Sequence, residues 1–153
     1  MTGRATTPSK ASDPPPSLED LLARPDLAPE VRAVFDDIRV TRGDDFICNF
    51  WRALADRPDL LAGTWAETKR AMTEQREGGL TPPVKELIYL AVSIANGCVY
   101  CVHQHTEAAR RHGMTEAQYA DLVAIVAIAS QTNTLAKGMR VPIDDDFLPT
   151  NGG

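Results

Sequence analysis

Along most of the chain the apolar residues recur at three- and four-residue spacing, the period of a helix, and no run alternates convincingly at period two. Pro29 stands where a first helical turn tolerates proline and predicts a helix running to about Arg39. Phe46, Ile47, Phe50, Trp51 and Leu54 fall on one helical face. Pro58 opens a further segment with Leu61, Trp65, Thr68 and Met72 turned inward, and Gly78-Gly79 ends it. Thr81-Pro82 supplies an N-cap and a first-turn proline, Asn96-Gly97 a stop, and Gly113 the end of the following helix. Thr115-x-x-Gln118 is a capping-box pattern that opens a long last helix through Leu135. The expected fold class is all-α.

Two windows carry no Asp, Glu, Lys or Arg: Leu87 to Thr106 and Leu122 to Ala136. The first is interrupted by Ser93, Asn96, Gly97 and His103. The second runs out into Ser130, Gln131, Thr132, Asn133 and Thr134. Both have too short an apolar run for a bilayer, so no membrane span is expected. Helices this apolar belong at the buried centre of a bundle or at a subunit interface. Two of them in one small chain favour a homo-oligomer.

The 153 residues suit one domain. Residues 1–17 are rich in Ser, Thr and Pro and read as a flexible arm. Residues 18–140 form the expected helical domain. Residues 141–153 read as a tail, pinned by Ile143, Phe147 and Leu148. The formal net charge is −5 and no stretch is rich in Lys or Arg. That argues against nucleic acid and against anionic lipid as partners. The start has no apolar h-region, and Pro8 and Pro14 to Pro16 oppose an amphipathic targeting helix. The three cysteines, Cys48, Cys98 and Cys101, do not make a secreted disulfide framework. The expected compartment is the reducing cytoplasm, where a close cysteine pair reads as catalytic or metal-binding. Cys48, Trp51 and Trp65 read as core residues.

The candidate chemistry lies between Cys98 and His105. On a helix that begins just after Asn96-Gly97, Cys101 lies about 60° and His105 about 20° from Cys98, so the three share a face. His103 points elsewhere, about 140° away. A helix N-terminus favours a thiolate on a nearby cysteine, and a histidine one turn on can take or hold the proton. Glu86 is the one acid in an otherwise apolar helix. If the chain reverses at Asn96-Gly97, Glu86 and His105 come to about the same level of a hairpin, and each gives the other a partner. Zinc held by Cys98, Cys101 and His105 is the metal alternative, but a fourth ligand is not evident. A thioredoxin-type fold is excluded, because its cysteine pair follows a strand. The plain alternative for every one of these residues is a core or surface role; the joint arrangement favours chemistry.

Glu86, eleven residues, Cys98-x-x-Cys101, three residues and His105 together resemble the signature of the alkylhydroperoxidase AhpD-like proteins of the carboxymuconolactone decarboxylase superfamily. The phrases Asn49 to Ala55, Pro58 to Leu61 and Glu86 to Cys98 fit as well, and the likeness covers roughly residues 30–140. Tyr100 stands where the best-studied branch has a histidine. The resemblance implies an AhpD-like helical bundle that assembles as dimers, trimers or hexamers. It implies reduction of hydroperoxides, with Cys101 as the attacking thiol, Cys98 resolving it as a disulfide, and Glu86 and His105 relaying the proton. No bound cofactor is implied; an external dithiol or a protein electron donor restores the thiols. The alternatives are a redox adaptor or disulfide reductase without peroxide turnover, a decarboxylase-like enzyme using His105 and Glu86, and an oligomerising scaffold.

Overall fold

The structure is a computed structural model that describes residues 13–148. Seven α-helices and one short 3-10 turn supply its regular structure, and no strand occurs among the described residues. The expected all-α class is therefore observed. Residues 1–12 of the expected arm and 149–153 of the expected tail lie outside the described residues. The chain divides between Ala71 and Met72 into two compact units.

The first unit holds α1 (Leu18–Ala23), α2 (Pro29–Arg42), α3 (Asn49–Ala53) and most of α4 (Pro58–Thr73). The Ser17 hydroxyl accepts the Asp20 N–H and caps α1, a short helix the apolar spacing did not announce. Helix α2 opens on Pro29 as expected and runs to Arg42, where Gly43 ends it in a left-handed conformation, φ 73°. Val31, Phe35 and Ile38 of α2 pack with Leu61 and Trp65 of α4 and with Trp51 of α3 in one apolar cluster. Trp51 and Trp65 meet edge to face, with centroids 5.3 Å apart. Cys48 is buried beside them, as expected for a core cysteine.

The helical face expected from Phe46 to Leu54 is only partly realised. Helix α3 begins at Asn49, Cys48 before it is extended, and Phe46 is exposed. The cause is local: the Asp44 carboxylate accepts the Phe46 N–H at 3.0 Å, which closes a turn where the helix would otherwise start. Helix α4 likewise ends at Thr73, ahead of the glycine pair.

The second unit holds α5 (Pro82–Ala95), α6 (Val99–Arg111) and α7 (Glu116–Met139), followed by the 3-10 turn Asp145–Phe147. Asn96 caps α5, and Gly97 turns the chain at φ 68°, a conformation that glycine adopts without strain. The Cys98 N–H then donates to the Ser93 carbonyl at 3.0 Å, so α6 starts immediately beside the end of α5. The α7 capping box forms in full: Thr115 Oγ1 accepts the Gln118 N–H, and Gln118 Oε1 accepts the Thr115 N–H.

Helix α7 continues past Leu135 to Met139 and buries none of its residues. Its charge-free window is thus not a buried centre within this chain. Its apolar side chains, Ile125, Ile128, Leu135 and Met139 among them, are exposed. Nor do Ile143, Phe147 and Leu148 pin the tail, since all three are exposed. No helix among the described residues is long and apolar enough to cross a membrane.

Candidate active site

The tight turn at Asn96-Gly97 sets α5 and α6 side by side and antiparallel, and each candidate residue takes its place from that hairpin. Cys98 is the N-cap of α6, one residue before the first turn in which sequence reasoning set it. Its Sγ accepts the Cys101 N–H at 3.3 Å, so an unpaired amide of the helix mouth points at this sulfur. Cys98 and Cys101 are joined as a disulfide, with Cα atoms 5.4 Å apart, a spacing a disulfide accommodates.

His105 lies one turn beyond Cys101 on α6 and is almost wholly buried. Its Nδ1 is 2.7 Å from Oε2 of Glu86, which projects from α5, and the two side chains are 11 % and 14 % exposed. As a carboxylate, Glu86 only accepts, so Nδ1 carries the hydrogen and Nε2 is left to take or give a proton. The level-matching expected from the sequence is thus met between these two residues. His103, expected on another face, is exposed.

Tyr89 was not singled out from the sequence. Its ring stacks on His105 with centroids 3.7 Å apart and planes 22° apart. The signal was available in principle, because Tyr89 follows Glu86 by three residues and so shares its face of α5. Together Glu86 and Tyr89 fix both the edge and the face of the imidazole. Ser93, one turn beyond Tyr89, is buried and returns its hydroxyl to the Tyr89 carbonyl at 2.8 Å.

A cavity of about 380 Å³ opens in this unit against the disulfide, a size typical of small-molecule sites. Both cysteines line it. Met72, Leu80, Ile88 and Val92 give it apolar walls, and Tyr89, Ser93 and Asn96 continue the lining along α5. Lys85 is its charged lining residue. Glu86 and His105 are not part of the lining; Tyr89 touches both the cavity and the His105 ring. Among the described residues, no three His, Cys, Asp or Glu side chains are arranged to hold a metal ion.

Comparison with known proteins agrees with the all-helical fold. The model of the carboxymuconolactone decarboxylase family matches residues 58–144, more than half of the chain. The crystal structure of an alkylhydroperoxidase AhpD core from Rhodospirillum rubrum is similar, with 54 % identity and a TM-score of 0.73. That match covers 78 % of this chain and 86 % of the other. An uncharacterised protein of Cupriavidus necator is 44 % identical over 50 residues, which span 33 % of this chain and 44 % of that protein.

Proposed function

The chain belongs to the carboxymuconolactone decarboxylase family with the all-helical AhpD-like fold, and from that premise we propose that it is a thiol-dependent peroxidase. The observation that carries the reading is the Cys98–Cys101 pair at the mouth of α6, lining a cavity, with the Glu86–His105 pair one turn deeper. Likeness to the crystal structure of the alkylhydroperoxidase AhpD core supports the same reading.

In the reduced state the Cys101 proton passes to His105, and the Cys101 thiolate attacks the terminal oxygen of a hydroperoxide. The O–O bond breaks, its electron pair leaves with the alkoxide, and His105 returns the proton to give the alcohol. Cys101 retains the hydroxyl as a sulfenic acid. The Cys98 thiolate then attacks that sulfur, and the S–O bond breaks. The departing hydroxide takes the proton that Cys98 gave up and leaves as water, and the disulfide forms. An external dithiol returns two electrons and two protons by exchange, and becomes a disulfide itself. Glu86 holds the His105 ring and balances the positive charge the ring carries between the two proton transfers. A reducing cytoplasm supplies such a dithiol, and no other cofactor is needed.

Single cysteine variants test this reading: wild-type turnover is followed with dithiothreitol as the reductant, whereas each variant is reduced, freed of dithiothreitol and then given peroxide, with dimedone labelling read by mass spectrometry. Cys101→Ser abolishes peroxide consumption. Cys98→Ser consumes one equivalent, stops, and leaves a trappable sulfenic acid on Cys101. Sulfenic acid on Cys98 of the Cys101→Ser protein, with none on Cys101 of the other, reverses the roles. Wild-type protein that exchanges disulfides yet consumes no peroxide refutes peroxidase activity in favour of a redox adaptor. Lactone turnover that survives loss of both thiols favours the decarboxylase-like alternative.

A further inference from the structure

The cavity is apolar along most of its wall but is not uniformly so, and the exception has a fixed place. Lys85 is the lining residue nearest the start of α5, and Asn96 is the one at its end. Eleven residues separate them, about 16 Å along the helix. Two contacts fix the register of α6 on α5: Glu86 against His105, and the Ser93 carbonyl against the Cys98 N–H. That register sets Cys101 level with Leu90, about 7.5 Å along the axis from Lys85 and about 9 Å short of Asn96. Cys101 therefore lies near the middle of the α5 wall of a mostly apolar cavity, with the Lys85 side chain towards one end of that wall.

The Lys85 ammonium donates to the Glu74 carbonyl at 2.5 Å, which holds it in place and leaves two of its three hydrogens free to bind an anion. No carboxylate of the described residues forms an ion pair with it.

Building on the peroxidase reading, we propose that the cavity is a subsite for hydroperoxides of long-chain monocarboxylic acids, with the substrate carboxylate on Lys85, the alkyl chain along Ile88 and Val92, and the hydroperoxide carried partway along the chain, level with Cys101. Hydrogen peroxide gains nothing from such a cavity. A neutral aryl hydroperoxide gains only the apolar wall. A fatty-acid hydroperoxide gains the wall and the ion pair together.

The test compares linoleic acid hydroperoxide with its methyl ester, both below their micellar concentrations, with cumene hydroperoxide alongside. The wild-type protein favours the free acid over the ester in kcat/KM by about fivefold, the upper end for a partly exposed ion pair, and the ratio shrinks as salt is added. Lys85→Gln brings the acid-to-ester ratio to about one, and Lys85→Arg retains most of it. Binding of oleate against methyl oleate, followed by calorimetry, gives the same contrast without any peroxide chemistry. Cumene hydroperoxide turnover with equal rates for acid and ester overturns the subsite and leaves the peroxidase reading standing. Lys85-dependent oleate binding with no turnover of any hydroperoxide overturns the peroxidase reading and leaves the subsite standing. Equal binding of oleate and its ester, as when a second copy of the chain covers the cavity, overturns the subsite.

Discussion

Replacing Glu86 separates what this carboxylate does for the fold from what it does for proton transfer. Glu86→Gln keeps an oxygen that can accept the His105 Nδ1–H but removes the charge. Both side chains are largely buried, so water cannot take over the lost interaction. A hydrogen bond to a charged acceptor is roughly twice as strong as a neutral one, so the substitution costs about 1 kcal/mol of stability. Glu86→Ala leaves the ring N–H without an acceptor and costs about 2 kcal/mol, read as an earlier urea midpoint at unchanged slope. The effect on catalysis is larger than either. The amide can also present its NH2 group to Nδ1, which drives the hydrogen to Nε2 and removes the nitrogen left to act as a base. Glu86→Gln is therefore expected to lower kcat/KM for hydroperoxide by about 100-fold, the low end of what positioned proton transfer contributes, in a protein that remains folded. Stopped-flow peroxide reduction with excess dithiol measures it, and the urea curve of the same sample controls for folding. A Glu86→Gln protein that turns over at the wild-type rate shows that the pair only braces the hairpin, and the relay is wrong.

Two further outcomes follow from other parts of the chain. On α7, Ile125, Ile128, Thr132, Leu135 and Met139 recur at three- and four-residue spacing on an exposed face, the pattern of a helix that packs against another. Light scattering at micromolar concentration should give a multiple of 16.7 kDa, and Ile128→Asp should move it towards the monomer; a wild-type mass near 16.7 kDa rejects the homo-oligomer. In the first unit, the Lys69 ammonium and the Trp65 indole N–H both donate to Asp37 and hold its carboxyl below the ordinary aspartate range. A depressed carboxyl stabilises the fold above its unfolded value and loses that contribution as pH falls through the folded one. The Asp37→Asn deficit, about 1 kcal/mol because Asp37 and Lys69 are both partly exposed, should be complete at neutral pH and shrink in urea melts as the pH falls below the ordinary aspartate range towards full protonation of the folded carboxyl. A deficit that persists there shows that the amide is misfit for a reason other than charge.

What could be read from the sequence was local. Asn96-Gly97 and Thr115-x-x-Gln118 act within a few residues of themselves, through a positive φ and a reciprocal cap, and both appear in the structure where the chain announced them. The Glu86–His105 contact was readable because one turn and a constant helical rise fix the level of a hairpin. The face expected over Phe46 to Leu54 was not, because the Asp44 side chain competes for the Phe46 N–H, and periodicity does not register that competition. Tyr89 and Lys85 were missed for another reason. Their importance depends on which face of α5 looks at α6 and at the cavity, and an apolar, charge-poor helix offers little contrast between its faces. The same lack of contrast left α7 open between a buried centre and an interface.

The roles proposed for the two cysteines rest on the two fields acting on them, which would serve different steps. The helix mouth acts on Cys98, whose Sγ already accepts an amide N–H of α6. His105 lies one turn from Cys101, and Cys101 is the sulfur level with the middle of the cavity. On the dipole alone, Cys98 is the better thiolate and would be the thiol to meet peroxide. Attack on peroxide, however, needs more than an anion: the departing alkoxide must receive a proton, and a helix N-terminus has none to give. A histidine held by Glu86 can give one, and it sits on the Cys101 side. The second step has the opposite requirement. The resolving sulfur must be a thiolate without borrowing His105, and the helix mouth favours that form at Cys98 without a base. In the proposed cycle, one sulfur has a histidine within a turn for proton transfer and the other has the helix mouth, and these are the two different needs of a two-step dithiol reaction.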